Sequence, residues 1–249
     1  HSTALKKNYD APSNTYSTEF AEISVGCEAC HGPGSAHVAN PADSLATLKD
    51  QAEQVNACAP CHSRRSQLTE GFRPSRRYLD HYLPALLDEG LYHPDGQMLD
   101  EVYVYGSFLQ SKMHARGVTC SDCHDPHSGA LRLDENAVCT QCHSEAGRTQ
   151  FPTLRRADYD SRDHHFHAPE TEGSRCVSCH MPSRTYMVID DRRDHSFRIP
   201  RPDLTVELGV PNACNGCHAD RSAQWARDAI AERSSGQRAA HFAAVFAAA

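Results

Sequence analysis

Apolar positions are sparse along this chain and gather in a few short stretches. Leu45, Leu48, Ala52 and Val55 recur at helical spacing, which predicts a short helix over Pro41 to Val55 with Asn40 as its cap. Alternation in Asp100 to Tyr105 predicts a short strand, and Thr185 to Ile189 predicts a second. The strongest helical pattern is Ala219 to Arg233, with Trp225, Ala226, Ala229 and Ile230 on one side and Gly236 as a stop. Ala239 to Ala249 reads as the first turns of a further helix. Elsewhere Pro and Gly interrupt the chain too often for long elements. The pattern therefore predicts a mainly α fold with much irregular coil and little β. No stretch approaches the roughly 18 to 20 apolar residues of a bilayer-spanning helix.

Composition sharpens the picture. The chain has 249 residues, of which 39% are apolar, and its mean hydropathy is −0.62. Such polarity is common in disordered chains, yet only 23% of residues are charged while 12 are Cys and 17 are His. That combination indicates a scaffold stapled by a metal or cofactor. The net charge of −7 supplies no basic footprint, which excludes nucleic acid as the expected partner.

The cysteines decide the chemistry. They form six pairs of one spacing: Cys27/Cys30, Cys58/Cys61, Cys120/Cys123, Cys139/Cys142, Cys176/Cys179 and Cys214/Cys217. Each pair is followed at once by histidine: His31, His62, His124, His143, His180 and His218. C-x-x-C-H is the attachment motif of c-type haem. Two thiols one helical turn apart reach the two vinyl groups on one edge of a porphyrin, and the adjoining His is carried beneath the iron. Zinc ribbons, a thioredoxin-type site and a disulfide framework are the competing readings, but none requires His after every second Cys. Six such followers by chance have odds on the order of one in ten million. The expectation is six haem c groups, with short helices and loops wrapped on a stacked haem core over residues 1–235 and a tail or further helix over 236–249.

Six irons of low potential call for six second imidazoles, since Met in that place raises the potential. The candidates are His37, His93, His114, His127 and His195, together with the cluster at residues 164–167. That cluster supplies one or two ligands; His165 and His167 are named, and His164 stays open beside them. His81 and His241 come last. Met181 and Met187 read as packing residues. Arg outnumbers Lys 21 to 4, which suits pairing with haem propionates but equally reflects a GC-rich coding sequence.

Four segments resemble a known family: Val25 to Ser35 (VGCEACHGPGS), Tyr103 to Met113 (YVYGSFLQSKM), Gly117 to His127 (GVTCSDCHDPH) and Asp194 to Asp203 (DHSFRIPRPD). They are similar to the multihaem cytochromes c often fused to tetratricopeptide or HEAT-like repeats. Members resemble, in haem arrangement, the tetrahaem cytochromes of hydroxylamine oxidation, which implies near-parallel and perpendicular haem pairs. The resemblance further implies a haem motif ahead of His1 and a helical repeat domain after Ala249. His1-Ser2 copies His62-Ser63 and His143-Ser144, so a seventh site at His1 is left open against a chance match.

These readings lead to an expectation of electron transfer in the periplasm or at the cell surface, where haem is joined to thiols. The expected partners are other cytochromes or redox proteins, with a homo-oligomer or filament left open. A haem enzyme acting on a small nitrogen or sulfur compound at one open iron is the alternative.

Overall fold

The computed structural model describes residues 2–43, 45, 48–233 and 239–246. His1, the stop expected at Gly236, residues 237–238 and 247–249 of the expected tail, and parts of the predicted 41–55 helix therefore lie outside the described residues. The chain divides into two compact units, His1–Leu86 and Leu87–Ala249.

In the first unit, strands β1 (Tyr9–Asp10) and β2 (Thr15–Tyr16) form a small hairpin. Helices α1 (Cys27–His31), α2 (Ser35–Ala39) and α3 (Gln51–His62) follow. The helix expected from Pro41 begins instead after Asp50. Leu48 adopts a left-handed φ of 43°, which stops a helix from running through it. The Asp50 carboxylate accepts from Glu53 N–H at 2.8 Å, and Glu53 answers with a hydrogen bond from Asp50 N–H, so a capping box fixes the start. Strands β3 (Arg65–Gln67) and β4 (Tyr82–Pro84) pair antiparallel beyond it. Tyr78 and Tyr82 stack at 5.3 Å, and the Tyr78 hydroxyl meets Ser63 Oγ at 2.6 Å.

The second unit carries α4 (Tyr105–Leu109), α5 (Ala137–Thr140), α6 (Arg162–His165) and α7 (Cys176–His180). Hairpin β5 (Ser183–Tyr186) and β6 (Asp190–Arg193) comes next, then α8 (Pro202–Leu208), α9 (Ala213–Cys217), α10 (Ala223–Arg233) and α11 (Ala243–Phe246). The strand expected over Asp100 to Tyr105 is absent, because Tyr103 takes φ of 59° and the chain turns into α4. The second expected strand is displaced: Met187 and Val188 sit at φ of 49° and 74° and form the hairpin turn. Met187 is thereby 72% exposed, not a packing residue, whereas Met181 is half-buried. In α10, Ser222 Oγ accepts from Trp225 N–H, which places the helix start after Ser222.

The mainly α expectation is corrected. Among the described residues helix makes up 33% and strand 12%, so coil predominates. The reason is local: an attachment motif needs about one turn of helix, and α3 and α10 are the longest of the described helices. The apolar cluster of the second unit consists of Tyr92, Met98, Val102 and Tyr186 with Leu91 against it. Protein side chains alone would build a much larger cluster in a unit of this length.

Candidate haem-binding sites

Five of the motifs fold as about one turn, and the second, Cys58 to His62, closes the longer helix α3. His124 N–H donates to Cys120 C=O at 2.9 Å, His143 to Cys139 at 2.9 Å and His218 to Cys214 at 2.8 Å. The turns are pinned at their starts by short polar side chains. Thr119 and Asp122 form a reciprocal box at the third site, and Asn212 accepts from Asn215 N–H at the sixth. All twelve thiols are free of disulfides.

Within each unit, the thiols of successive sites lie close to one another. In the first unit, burial and then the neighbouring Cys61 push the Cys30 thiol up. In the second unit, burial, then Asp122, then Cys142 push Cys123 up to about 11. Cys139 is raised first by a hydrogen bond with Cys176 and then by burial. Burial, followed by Cys214 and Cys217, pushes Cys179 up to about 11. The third, fourth, fifth and sixth motifs thus form an unbroken series through Cys123/Cys142, Cys139/Cys176 and Cys179/Cys214.

Among the described residues, the histidines of the third, fifth and sixth motifs each face a second imidazole. His124 and His195 stand 6.3 Å apart between ring centres at an interplanar angle of 26°. His164 and His180 stand 6.1 Å apart at 9°, and His167 and His218 6.1 Å apart at 32°. Two imidazoles bound trans to one metal through Nε2 would be separated by about 6.3 Å, given metal–nitrogen bonds of about 2.0–2.1 Å and about 1.1 Å from nitrogen to each ring centre. The spacing fits one iron between each pair. Two protein ligands in trans also suit a metal whose other four ligands come from a porphyrin.

Hydrogen bonds aim several of these rings. His180 Nδ1 donates to Arg198 C=O at 2.7 Å, and His195 Nδ1 to Arg193 C=O at 2.9 Å. His167 Nδ1 donates to His165 C=O, and His37 Nδ1 to Asp43 C=O at 2.8 Å. A carbonyl can only accept, so the proton sits on Nδ1 and the Nε2 lone pair is left for a metal. Burial lowers the pKa of His124, His143 and His164, which favours the neutral ring that coordination requires.

The remaining named histidines are placed differently. His165 Nδ1 accepts from His167 N–H at 3.2 Å, which leaves its proton on Nε2. His164 and His167, not His165, meet motif histidines, because Phe166 at φ of 63° reverses the chain at the end of α6. Nothing in the sequence signals that left-handed phenylalanine. His93 keeps Nε2 buried without a hydrogen-bond partner. His114 lies edge-on to Phe108 at 5.3 Å, and His127 is 81% exposed beside Asp125. His81 is bonded through Nδ1 to Thr69, and His241 Nδ1 accepts from Ala243 N–H. His37, His93, His114 and His127 are not among the three facing pairs.

Gly173 is a spacing residue for the sixth site, since a Cβ there would overlap the His167 ring. Gly173→Ala is expected to displace that imidazole and convert one low-spin haem to a high-spin form. Electron paramagnetic resonance of the oxidised protein reads that change.

Residues 113–148 match the model of the doubled CXXCH motif family. Among solved structures, the chain is similar to an outer cell wall cytochrome, OcwA, with a TM-score of 0.69 at 21% identity. The match covers 92% of this chain and 61% of that one, so the chain spans about three fifths of that cytochrome's length. No curated protein matches the sequence. The chain therefore shares its fold with a cytochrome and carries, over residues 113–148, the doubled motif at which haem c is attached.

Proposed function

We propose that this chain relays electrons one at a time through six covalently attached haems, mostly with two imidazole ligands each, between redox proteins outside the cytoplasm. The observation that carries the reading is the set of facing imidazoles at 6.1–6.3 Å. A haem held between two imidazoles would have no open position for a substrate, which suits electron exchange rather than catalysis at the metal. The haem, when bound, supplies the redox couple. The protein's part is to hold two sulfurs and two imidazoles around each group and to set its potential through those ligands and the hydrogen bonds behind them.

In this reading His195 is the second ligand opposite His124, His164 opposite His180, and His167 opposite His218. The adjacent thiols of the third to sixth motifs support an electron path that follows the order of the sequence. The likeness to a cell wall cytochrome supports a place at the cell exterior, with other cytochromes as donor or acceptor. No helix among the described residues is long and apolar enough to cross a membrane.

A spectroelectrochemical titration tests the relay. The expected result is a set of overlapping low-potential transitions that together account for all the haem. Mostly positive potentials, of the kind Met ligation gives, would overturn it.

A further inference from the structure

Tyr159 stands between the fourth and fifth attachment sites, just ahead of α6. Its ring meets His143, the histidine of the fourth motif, at 6.3 Å between centres and an interplanar angle of 69°. It meets His164, the imidazole that faces His180 of the fifth motif, at 5.0 Å and 73°. Both contacts are edge-on, an arrangement that packed aromatic rings prefer. One half-buried side chain thus touches an imidazole from each of two neighbouring sites.

The ring is fixed from several directions. Its hydroxyl donates to Arg155 C=O at 3.2 Å. Ser161 Oγ donates to Asp158 C=O at 2.8 Å, which closes the turn around Tyr159 before α6 carries the chain on to His164. The carboxylate of the next residue, Asp160, accepts from Asn136 Nδ2 at 2.7 Å. Asn136 lies at the start of α5, which carries Cys139, and its amide ties that helix to the fifth site. Nδ2 also donates to Ser174 C=O at 3.0 Å, and Oδ1 accepts from Cys176 N–H at 2.9 Å. The backbone on either side of Tyr159 is therefore anchored to both motifs, and the ring has a set position between their imidazoles.

We propose that Tyr159 is a positioning residue shared by two haems: wedged between His143 and His164, it fixes the rotation of both imidazoles and so sets the ligand fields of the fourth and fifth haems together. The inference rests on the haem reading above, in which His143 and His164 each bind an iron. A ring packed edge-on against an imidazole blocks its rotation about the metal–nitrogen bond, and the plane of an axial imidazole governs how its orbitals meet those of iron. Tyr159 acts through the imidazoles alone, since its hydroxyl is turned to Arg155. The fourth and fifth haems are consecutive steps of the relay, so one side chain adjusts a donor and its acceptor as a pair.

The test compares Tyr159→Leu with Tyr159→Phe in the haem-loaded chain, by intact mass for haem content and electron paramagnetic resonance of the oxidised protein. Leu has no flat edge, so two low-spin signals should shift while the others stay and haem content is unchanged. Phe keeps both edges and should restore both signals to their wild-type positions. One of the two shifted signals should be the one that His164→Ala converts to high spin. If Tyr159→Leu fails to accumulate, the wild-type chain carries the test through nuclear magnetic resonance with isotopically labelled tyrosine rings. The resonance that disappears in Tyr159→Phe should then move in two steps as two haems are reduced in turn. Signals that stay in place in Tyr159→Leu, that shift at one haem or at every haem, or that shift equally in Tyr159→Phe would overturn the wedge, as would a tyrosine resonance that moves in a single step or not at all. A wild-type chain without the expected haems, or a His164→Ala chain whose irons all stay low-spin, would instead sink the ligand reading.

Discussion

His164→Ala is expected to leave every haem attached yet open one iron to outside ligands. The His164 ring faces His180 at 6.1 Å and nearly parallel, so in the proposed reading its loss would remove one of the two imidazoles that hold the metal at the fifth motif. Attachment survives because Cys176 and Cys179 are untouched. The reduced variant should bind one carbon monoxide per chain, and one ferric haem should turn high-spin. His165→Ala is the matched control, because its Nδ1 already accepts from His167 N–H and its Nε2 carries the proton. It should bind no carbon monoxide. Equal binding by both variants would show that the ring facing His180 is not a ligand.

The second large effect is thermodynamic. His195→Met would exchange the imidazole facing His124 at 6.3 Å for a thioether. Axial ligands move haem potentials over about 0.8 V in all, and a His-to-Met exchange should raise one haem by on the order of 0.2–0.3 V. At about 59 mV per tenfold change for one electron, that shifts its equilibrium with its neighbours by roughly three to five powers of ten. The haem at Cys120/Cys123 would then hold its electron, and stopped-flow reduction should show one haem filling first and reoxidising last. Uniform behaviour of all the haems would contradict the pairing.

Attachment chemistry was legible in the sequence because it depends on contiguous residues. Six C-x-x-C-H motifs specify their own geometry, and the one-turn hydrogen bond from His124 N–H to Cys120 C=O follows from that spacing. The partner imidazoles were legible only as candidates. His195 could be named from its neighbours, but the choice among residues 164, 165 and 167 depends on a single left-handed residue, Phe166. Large aromatic residues rarely adopt that conformation, so no pattern announces it.

The secondary structure was misread for a related physical reason. Leu48, Tyr103, Met187 and Val188 all carry apolar side chains at positive φ, in places where periodicity implied helix or strand. Apolar spacing normally reports a face packed on other side chains. In a chain arranged to surround porphyrins, an apolar residue can face a cofactor from a turn as readily as from a regular element. Periodicity then loses its meaning, whereas polar capping signals such as Asp50 and Glu53 keep theirs because they act on their own backbone.

The account depends most directly on covalent haem at every paired thiol. Intact-mass spectrometry of the purified polypeptide, combined with a pyridine haemochrome assay, measures this in one preparation. The account predicts a mass increased by six haem groups and no thiol open to alkylation. A chain carrying zinc, or one whose cysteines still react as free thiols, would contradict it.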